Sequence, residues 1–325
     1  MKRRDFMTAA GAAALLGPMV GRLPSALAQA ASVRQGYQTN MWGMATYYFL
    51  RSGALEKQGL KFEEFAVPSG NLTMQQMVGR QVDLGTYAGP SFIIGHDRGG
   101  LVAIAQIEEV GKTVRIMARK ELGLKRVEDL RGRKVADQVG SSVSNVFIDT
   151  IAPKHGLKKG DWQEVRMNVN DMVAAMAAKT VDAMINVEPY NAIAEAEGLA
   201  TTLMDYWDVD RMPVFMAATP DFVQAHPDET VRYLKAWLAV ADDFKNDKKK
   251  VSDTIYGFYK SKGYKMSQDT FDKAIGTVEV NVSFPADLRQ YMQQQADILL
   301  REKKIKKMPD WAKALRPEFM QKAKA

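Results

Sequence analysis

The 325-residue chain has no cysteine. Disulfides, thiolate metal sites, cysteine nucleophiles and lipid attachment through cysteine are therefore excluded. Histidine is nearly as scarce: His96, His155 and His226 stand far apart and without metal-ligand spacing. A Gly-x-Ser-x-Gly nucleophile elbow is absent, because Gly140-Ser141-Ser142-Val143-Ser144 lacks the last glycine. Gly111-Lys112-Thr113 ends like a phosphate-binding loop, but Gln106 stands where that loop needs glycine. After the first thirty residues no stretch has the roughly 20 apolar residues that cross a bilayer. These absences lead us to expect no enzyme, no cofactor, no metal site and a soluble mature chain.

What is present begins at the N-terminus. Lys2-Arg3-Arg4-Asp5-Phe6 is a basic segment with a twin arginine, Ala9 to Val20 is weakly apolar, and Ala28-Gln29-Ala30 fits a small-x-small cleavage site. The segment 1–30 resembles a bacterial twin-arginine export signal, which implies a periplasmic protein. Removing it takes away a net +3 (Lys2, Arg3, Arg4 and Arg22 against Asp5) from the overall +7, and leaves a mild +4. The remaining basic residues cluster at Lys248-Lys249-Lys250 and along Arg301 to Lys324, without interleaved aromatics. That pattern reads as a solvated surface and argues against a nucleic-acid partner.

One stretch occurs twice. Asn71 to Pro90 and Asn170 to Pro189, 99 positions apart, share Asn71/Asn170, Met77/Met176, Val82-Asp83/Val181-Asp182 and Pro90/Pro189. Each copy reads as a short helix capped by asparagine, a Val-Asp turn, a buried strand and a stop at proline. Ser32–Gln38 and Leu60–Val67 read as strands around a helix from Ala45 to Lys57, and 134–139 opens a second strand–loop–helix series. The order strand, loop, helix, strand gives an α/β fold with crossover helices. Two similar lobes explain the duplication. With crossings near Ala118 and Ala217, lobe 1 is 31–118 together with 218–325 and lobe 2 is 119–217. The last hundred residues read as mainly helical.

These landmarks carry a family resemblance. Gly59-Leu60, Pro68-Ser69-Gly70, Val82-Asp83-Leu84-Gly85, Leu130-Arg131-Gly132-Arg133-Lys134-Val135, Gly140-Ser141-Ser142, Val181-Asp182-Ala183 and Glu188-Pro189-Tyr190 follow one another over about residues 33–220. In that order they resemble the substrate-binding proteins of bacterial ABC importers in the aliphatic sulfonate, taurine, nitrate and thiamine-precursor group. The resemblance implies a two-lobed type II periplasmic binding fold, each lobe a mainly parallel sheet with helices on both faces. It also implies a monomer that closes on a small-molecule ligand and delivers it to a membrane permease. Two departures stand near the expected ligand: Val187 where the family usually has an aromatic residue, and Ala88-Gly89 where it often has aspartate.

In open parallel sheets, ligands lie beyond the carboxyl ends of the strands. The loops there supply the candidate ligand-binding residues: Met41 and Trp42, then Ser69, Gly70 and Asn71, then Tyr87 and Gly89, then Gly140, Ser141 and Ser142, and finally Glu188 and Tyr190. Helix N-termini at these loops offer unpaired N–H groups to an anion, the glycines allow close approach, and the aromatic rings can flank an organic body. Ser69 and Ser141 are equally good as helix caps, and Glu188 as a structural residue. No basic residue falls on these loops, which argues for an organic anion, a sulfonate or carboxylate, over a small hydrated one such as nitrate. A neutral heteroaromatic such as a pyrimidine precursor of thiamine, or an exported enzyme on the same fold, are the alternatives. The enzymes that resemble this fold, thiamine-pyrimidine synthases and porphobilinogen deaminases, imply essential cysteines.

Overall fold

A computed structural model describes residues 32–325; the expected export signal lies outside them. Eleven strands form two sheets among these residues. Strands β1 (Ser32–Gln38), β2 (Lys61–Val67), β3 (Leu84–Ala88) and β4 (Val102–Glu109) build the first sheet. Strands β5 (Val114–Arg119), β6 (Lys134–Asp137), β7 (Gln163–Arg166), β8 (Ala183–Val187) and β9 (Ala200–Asp205) build the second. The chain then returns through β10 (Pro213–Ala218) and β11 (Glu279–Ser283) to the first, giving the orders β11-β4-β10-β3-β1-β2 and β7-β6-β8-β5-β9.

Both sheets are mixed. β1 pairs in parallel with β2 and β3, and β6 with β7 and β8. β5 and β10 run antiparallel to both of their neighbours. These two strands follow the passages between lobes, at 110–113 and 206–212. Both passages precede the expected crossings near Ala118 and Ala217, because each reversed strand belongs to the sheet being entered. A buried apolar strand carries no local mark of which sheet it joins.

The duplicated stretch is one helix–strand unit in each lobe. The helix Gly70–Val78 leads to β3, and the helix Met172–Ala177 leads to β8; every residue of both strands is buried. The turns match in detail. Arg80 and Lys179, 99 positions apart, both adopt a left-handed backbone with φ of 59°. Val82 and Val181 are fully buried. The paired aspartates do the same work twice. Asp83 donates its N–H to the Arg34 carbonyl (2.8 Å) and accepts from the Arg34 N–H (3.2 Å), while Asp182 does so with Lys134 at 2.8 and 3.0 Å. Each thereby pins the repeated strand to the first parallel strand of its lobe. Side-chain bonds from Arg34 to Asp83 (2.6 Å) and from Arg119 to Asp182 (2.9 Å) reinforce the clamp.

Asparagine is not the cap in either copy. Ser69 caps the first helix, accepting from the Leu72 N–H at 3.4 Å, and Asp171 holds the cap position of the second. A hydroxyl at Ser69 reaches the first turn in the extended conformation that a cap residue needs. The expected helix from Ala45 to Lys57 is broken at Gly53, whose φ of 75° ends Met44–Arg51 and starts Ala54–Lys57.

Helices from Pro220 onward wrap lobe 1 and also reach lobe 2. The helix Leu288–Arg301 packs on Gly89–Gly99, while Gln268–Ile275 packs on Tyr190–Ala196 of the other lobe. No described helix is long and apolar enough to cross a membrane.

Candidate functional site

The carboxyl ends of β1, β3, β6 and β8 face one another across the interlobe cleft, where a narrow cavity of about 30 Å³ lies. Three helices begin at its wall: Gly70–Val78, Gly89–Gly99 and Ser142–Val146. Their first-turn N–H groups have no carbonyl one turn earlier to bond. Those of Gly70, Asn71, Ser142 and Val143 find no acceptor among the described residues. Helix dipoles add partial positive charge at each start.

Six of the expected residues line this cavity: Trp42, Gly70, Asn71, Tyr87, Ser141 and Ser142. Trp42 is held by its indole N–H, which donates to the Thr113 hydroxyl at 2.5 Å in the first interlobe passage. Gly70 admits no side chain, since a Cβ there would lie 2.7 Å from the Tyr87 Cβ. Tyr87 is fully buried and turns its hydroxyl to the Met77 sulfur at 3.2 Å; burial pushes that phenol well above its usual range. Ser141 caps its helix by accepting from the Ser144 N–H at 3.1 Å. Ser142 reaches the opposite lobe, its Oγ lying 2.9 Å from the Ser91 Oγ and accepting from the Ser91 N–H at 3.2 Å.

The other six expected residues lie outside the cavity wall. Met41 is buried and donates its N–H to the Glu188 carbonyl at 3.0 Å, a backbone tie between the lobes. Ser69 is spent as a cap. Gly89 faces the Tyr291 ring, 3.0 Å from where its Cβ would sit. Gly140 is exposed with φ of 86°, and its part is to turn the chain into Ser141. Tyr190 turns its hydroxyl to Tyr264, 3.0 Å away. Glu188 is fully buried, pairs with Arg115 at 2.9 Å and accepts the Ala192 N–H at 3.0 Å. Burial raises its carboxyl to about 7 in spite of Arg115. Of the two roles open to Glu188 in the sequence, these contacts favour the structural one, within lobe 2.

Sequence reasoning missed much of the polar wall. Gln38, Ser91 and Gln138 line the cavity beside Asn40, which begins the candidate loop 40–44, with Ala88, Val143, Val169, Ile185 and Val187 as its apolar part. No Asp, Glu, Lys, Arg or His is among the lining residues. Asn40 is buried and fully engaged: its Oδ1 accepts from the Trp42 N–H at 3.0 Å, and its Nδ2 donates to the Gln38 Oε1 and the Pro68 carbonyl at 3.3 Å each. Just behind the serine loop lies Asp137, the last residue of β6, 2% exposed and raised to about 7 by burial.

Residues 44–251, well over half of the chain, match the family described as NMT1/THI5 like. The chain belongs to the NMT1/THI5-like family. A Brucella abortus protein whose name says binding protein, without a ligand, is 29% identical over 252 residues, which is 75% of each chain. Among solved structures, the alkanesulfonate-binding protein of Xanthomonas axonopodis pv. citri bound to MOPS superposes with a TM-score of 0.78 at 19% identity, covering 89% of this chain and 99% of that one. The periplasmic nitrate-binding protein of Synechocystis gives 0.73 at 15% identity, covering 91% and 88%. At these identities the likeness establishes the two-lobed fold. The cavity's own chemistry has to carry the ligand.

Proposed function

We propose that this family member is the periplasmic solute-binding component of an ABC importer, a monomer that captures a small organic anion between its lobes and hands it to a membrane permease. The observation that supports the ligand class is the wall of the cavity. It offers several converging N–H donors at helix starts and no ionisable acid or base. Donors aimed at one point in a water-poor cleft stabilise a negative charge, each helix end adding about 0.3–1 kcal/mol when exposed and up to ~2 when partly buried. A carboxylate or sulfonate fits that field, while an ammonium group has no carboxylate to meet. The apolar side chains of Val169, Ile185 and Val187, lining the same cavity as Trp42, suit a short organic body.

Transport, not turnover, is the reading favoured by a wall without a nucleophile–base pair, and by relatives whose names state binding. Replacing Ser141 and Ser142 together by bulky residues tests the site. A double variant that folds and still takes up the wild-type ligand with unchanged affinity would remove the cavity from the account.

A further inference from the structure

We propose that Gln38 is the residue that selects the ligand's charge, and that it admits a monoanionic oxyanion while rejecting a dianion. This deepens the anion-binding reading and rests on it. Gln38 ends β1, is 2% exposed and lines the cavity. Its Oε1 is occupied by the Asn40 Nδ2 at 3.3 Å, and its Nε2 has no partner among the described residues. A buried amide N–H without a partner costs stability, so one left open on a residue that lines a cavity points to an acceptor that arrives with the ligand. Asn40 is itself locked by Trp42 and Pro68, so it holds the Gln38 amide in that one orientation.

The neighbouring backbone converges on the same point. A Cβ on Gly70 would come within 3.3 and 3.4 Å of the two ends of the Gln38 amide, so the Gly70 backbone and Gln38 form one lobe-1 surface. Together with the free N–H groups of Gly70 and Asn71 the amide makes a neutral donor cluster. Neutral donors can solvate one buried negative charge. A second charge adds a larger desolvation cost for the same donors to offset, and the lining residues provide no counter-ion. An arginine or lysine at position 38 would accept either. Glutamine sets the limit at one.

Two isosteric probes separate the charge states: ethanesulfonate, which is singly charged throughout, and ethylphosphonate, which is doubly charged at pH 8.5 and mainly singly charged near pH 6. Isothermal titration of the full mature chain should show ethanesulfonate binding at least tenfold more tightly than ethylphosphonate at pH 8.5, with the gap narrowing at pH 6. Q38L should weaken ethanesulfonate at least tenfold. Q38E, nearly the same shape, should weaken it further, since a carboxylate then faces the anion. Equal binding of the two probes by wild type at pH 8.5 would overturn the selection. So would a folded Q38L or Q38E with wild-type affinity for ethanesulfonate. If wild type binds ethanesulfonate and the variants do not differ from it, the role of Gln38 alone falls. If wild type binds neither these probes nor a wider set of organic anions, the anion reading falls with it.

Discussion

Lys304 reaches across the cleft from lobe 1, outside the ligand cavity. Its Nζ lies 2.8 Å from Asp149 Oδ2 and 3.0 Å from Asn145 Oδ1, both on the helical segment that starts at Ser142. Lys303, with φ of 56°, turns the chain at the end of the helix Leu288–Arg301 and sets the lysine's course. The helix is anchored at its other end, where the Tyr291 hydroxyl (3.0 Å) and Gln295 Nε2 (3.0 Å) donate to the buried Asp210 in the second interlobe passage. Asn145 in turn donates its N–H to the Ser141 carbonyl at 3.0 Å. Lys304 therefore ties the serine helix of lobe 2 to lobe 1, and a separation of the two at this point has to break the contact. Charge-assisted hydrogen bonds contribute about 1.5–3 kcal/mol, and exposed ion pairs about 0–1. The Lys304 side chain is 30% exposed and that of Asp149 only 5%, which puts the pair between those limits, at about 1–2 kcal/mol. If the pair forms only on closure, Lys304→Met should weaken ligand binding roughly 5- to 30-fold without touching the ligand. Titration calorimetry gives the affinity, and small-angle scattering gives the fraction of open molecules. The double variant with Asp149→Asn should lose little more than either single variant. A folded Lys304→Met protein with wild-type affinity and compactness would refute the latch.

Two further outcomes follow from the packing. A Cβ on Gly43 would lie 1.8 Å from the Gln38 carbonyl oxygen and 2.7 Å from its nitrogen. Gly43→Ala should therefore cost about 3 kcal/mol, measured by urea unfolding, and a variant within 0.5 kcal/mol of wild type (roughly the noise level for surface changes) would contradict the close approach. Asp137 has its carboxyl raised by burial from 3.8 to about 7, so the folded state favours the protonated form. Its contribution is complete below about pH 4 and is lost as pH rises through about 7, up to ~4 kcal/mol by linkage. Asp137→Asn should remove that slope and gain on wild type between pH 5 and pH 8 in urea melts. Parallel pH profiles for the two proteins would show that Asp137 is already ionised in the fold.

How far the sequence reaches depends on the element. The duplicated helix–strand unit was legible because a fully buried strand, a Val-Asp turn and a proline leave marks within a few residues. The equal φ of Arg80 and Lys179 shows that the echo extends to the backbone. The passages between lobes were misplaced because pairing partners lie far away in sequence. β5 meets β8 some seventy residues on, and nothing within Val114–Arg119 announces it. β9 and β11 are edge strands, and β11 lies in a region read as mainly helical. The signal for β11 was present: buried Val280 and Val282 alternate with exposed Glu279 and Asn281.

The site shows the same limit. Each polar lining residue that sequence reasoning missed adjoins one that it found. Gln38 precedes the Asn40–Met44 loop, Ser91 follows Gly89-Pro90, and Gln138 precedes Gly140. Loops were read a residue or two too narrowly, because a polar side chain at a strand's end looks the same whether it faces solvent or a cleft. Glu188 could not be settled from the sequence: its buried pairing depends on Arg115, which no local pattern ties to it.

The central claim, capture of one organic anion by a cavity without charged side chains, is tested most directly by thermal unfolding of the protein against a panel of alkanesulfonates, monocarboxylates, and neutral heteroaromatics. Ligand at 100 times its dissociation constant adds about 2.7 kcal/mol to stability, a shift that is easily resolved. The account predicts such a shift for at least one sulfonate or carboxylate, abolished when Ser141 and Ser142 are replaced by bulky residues. Stabilisation by neutral heteroaromatics alone, with every anion inert, would contradict it.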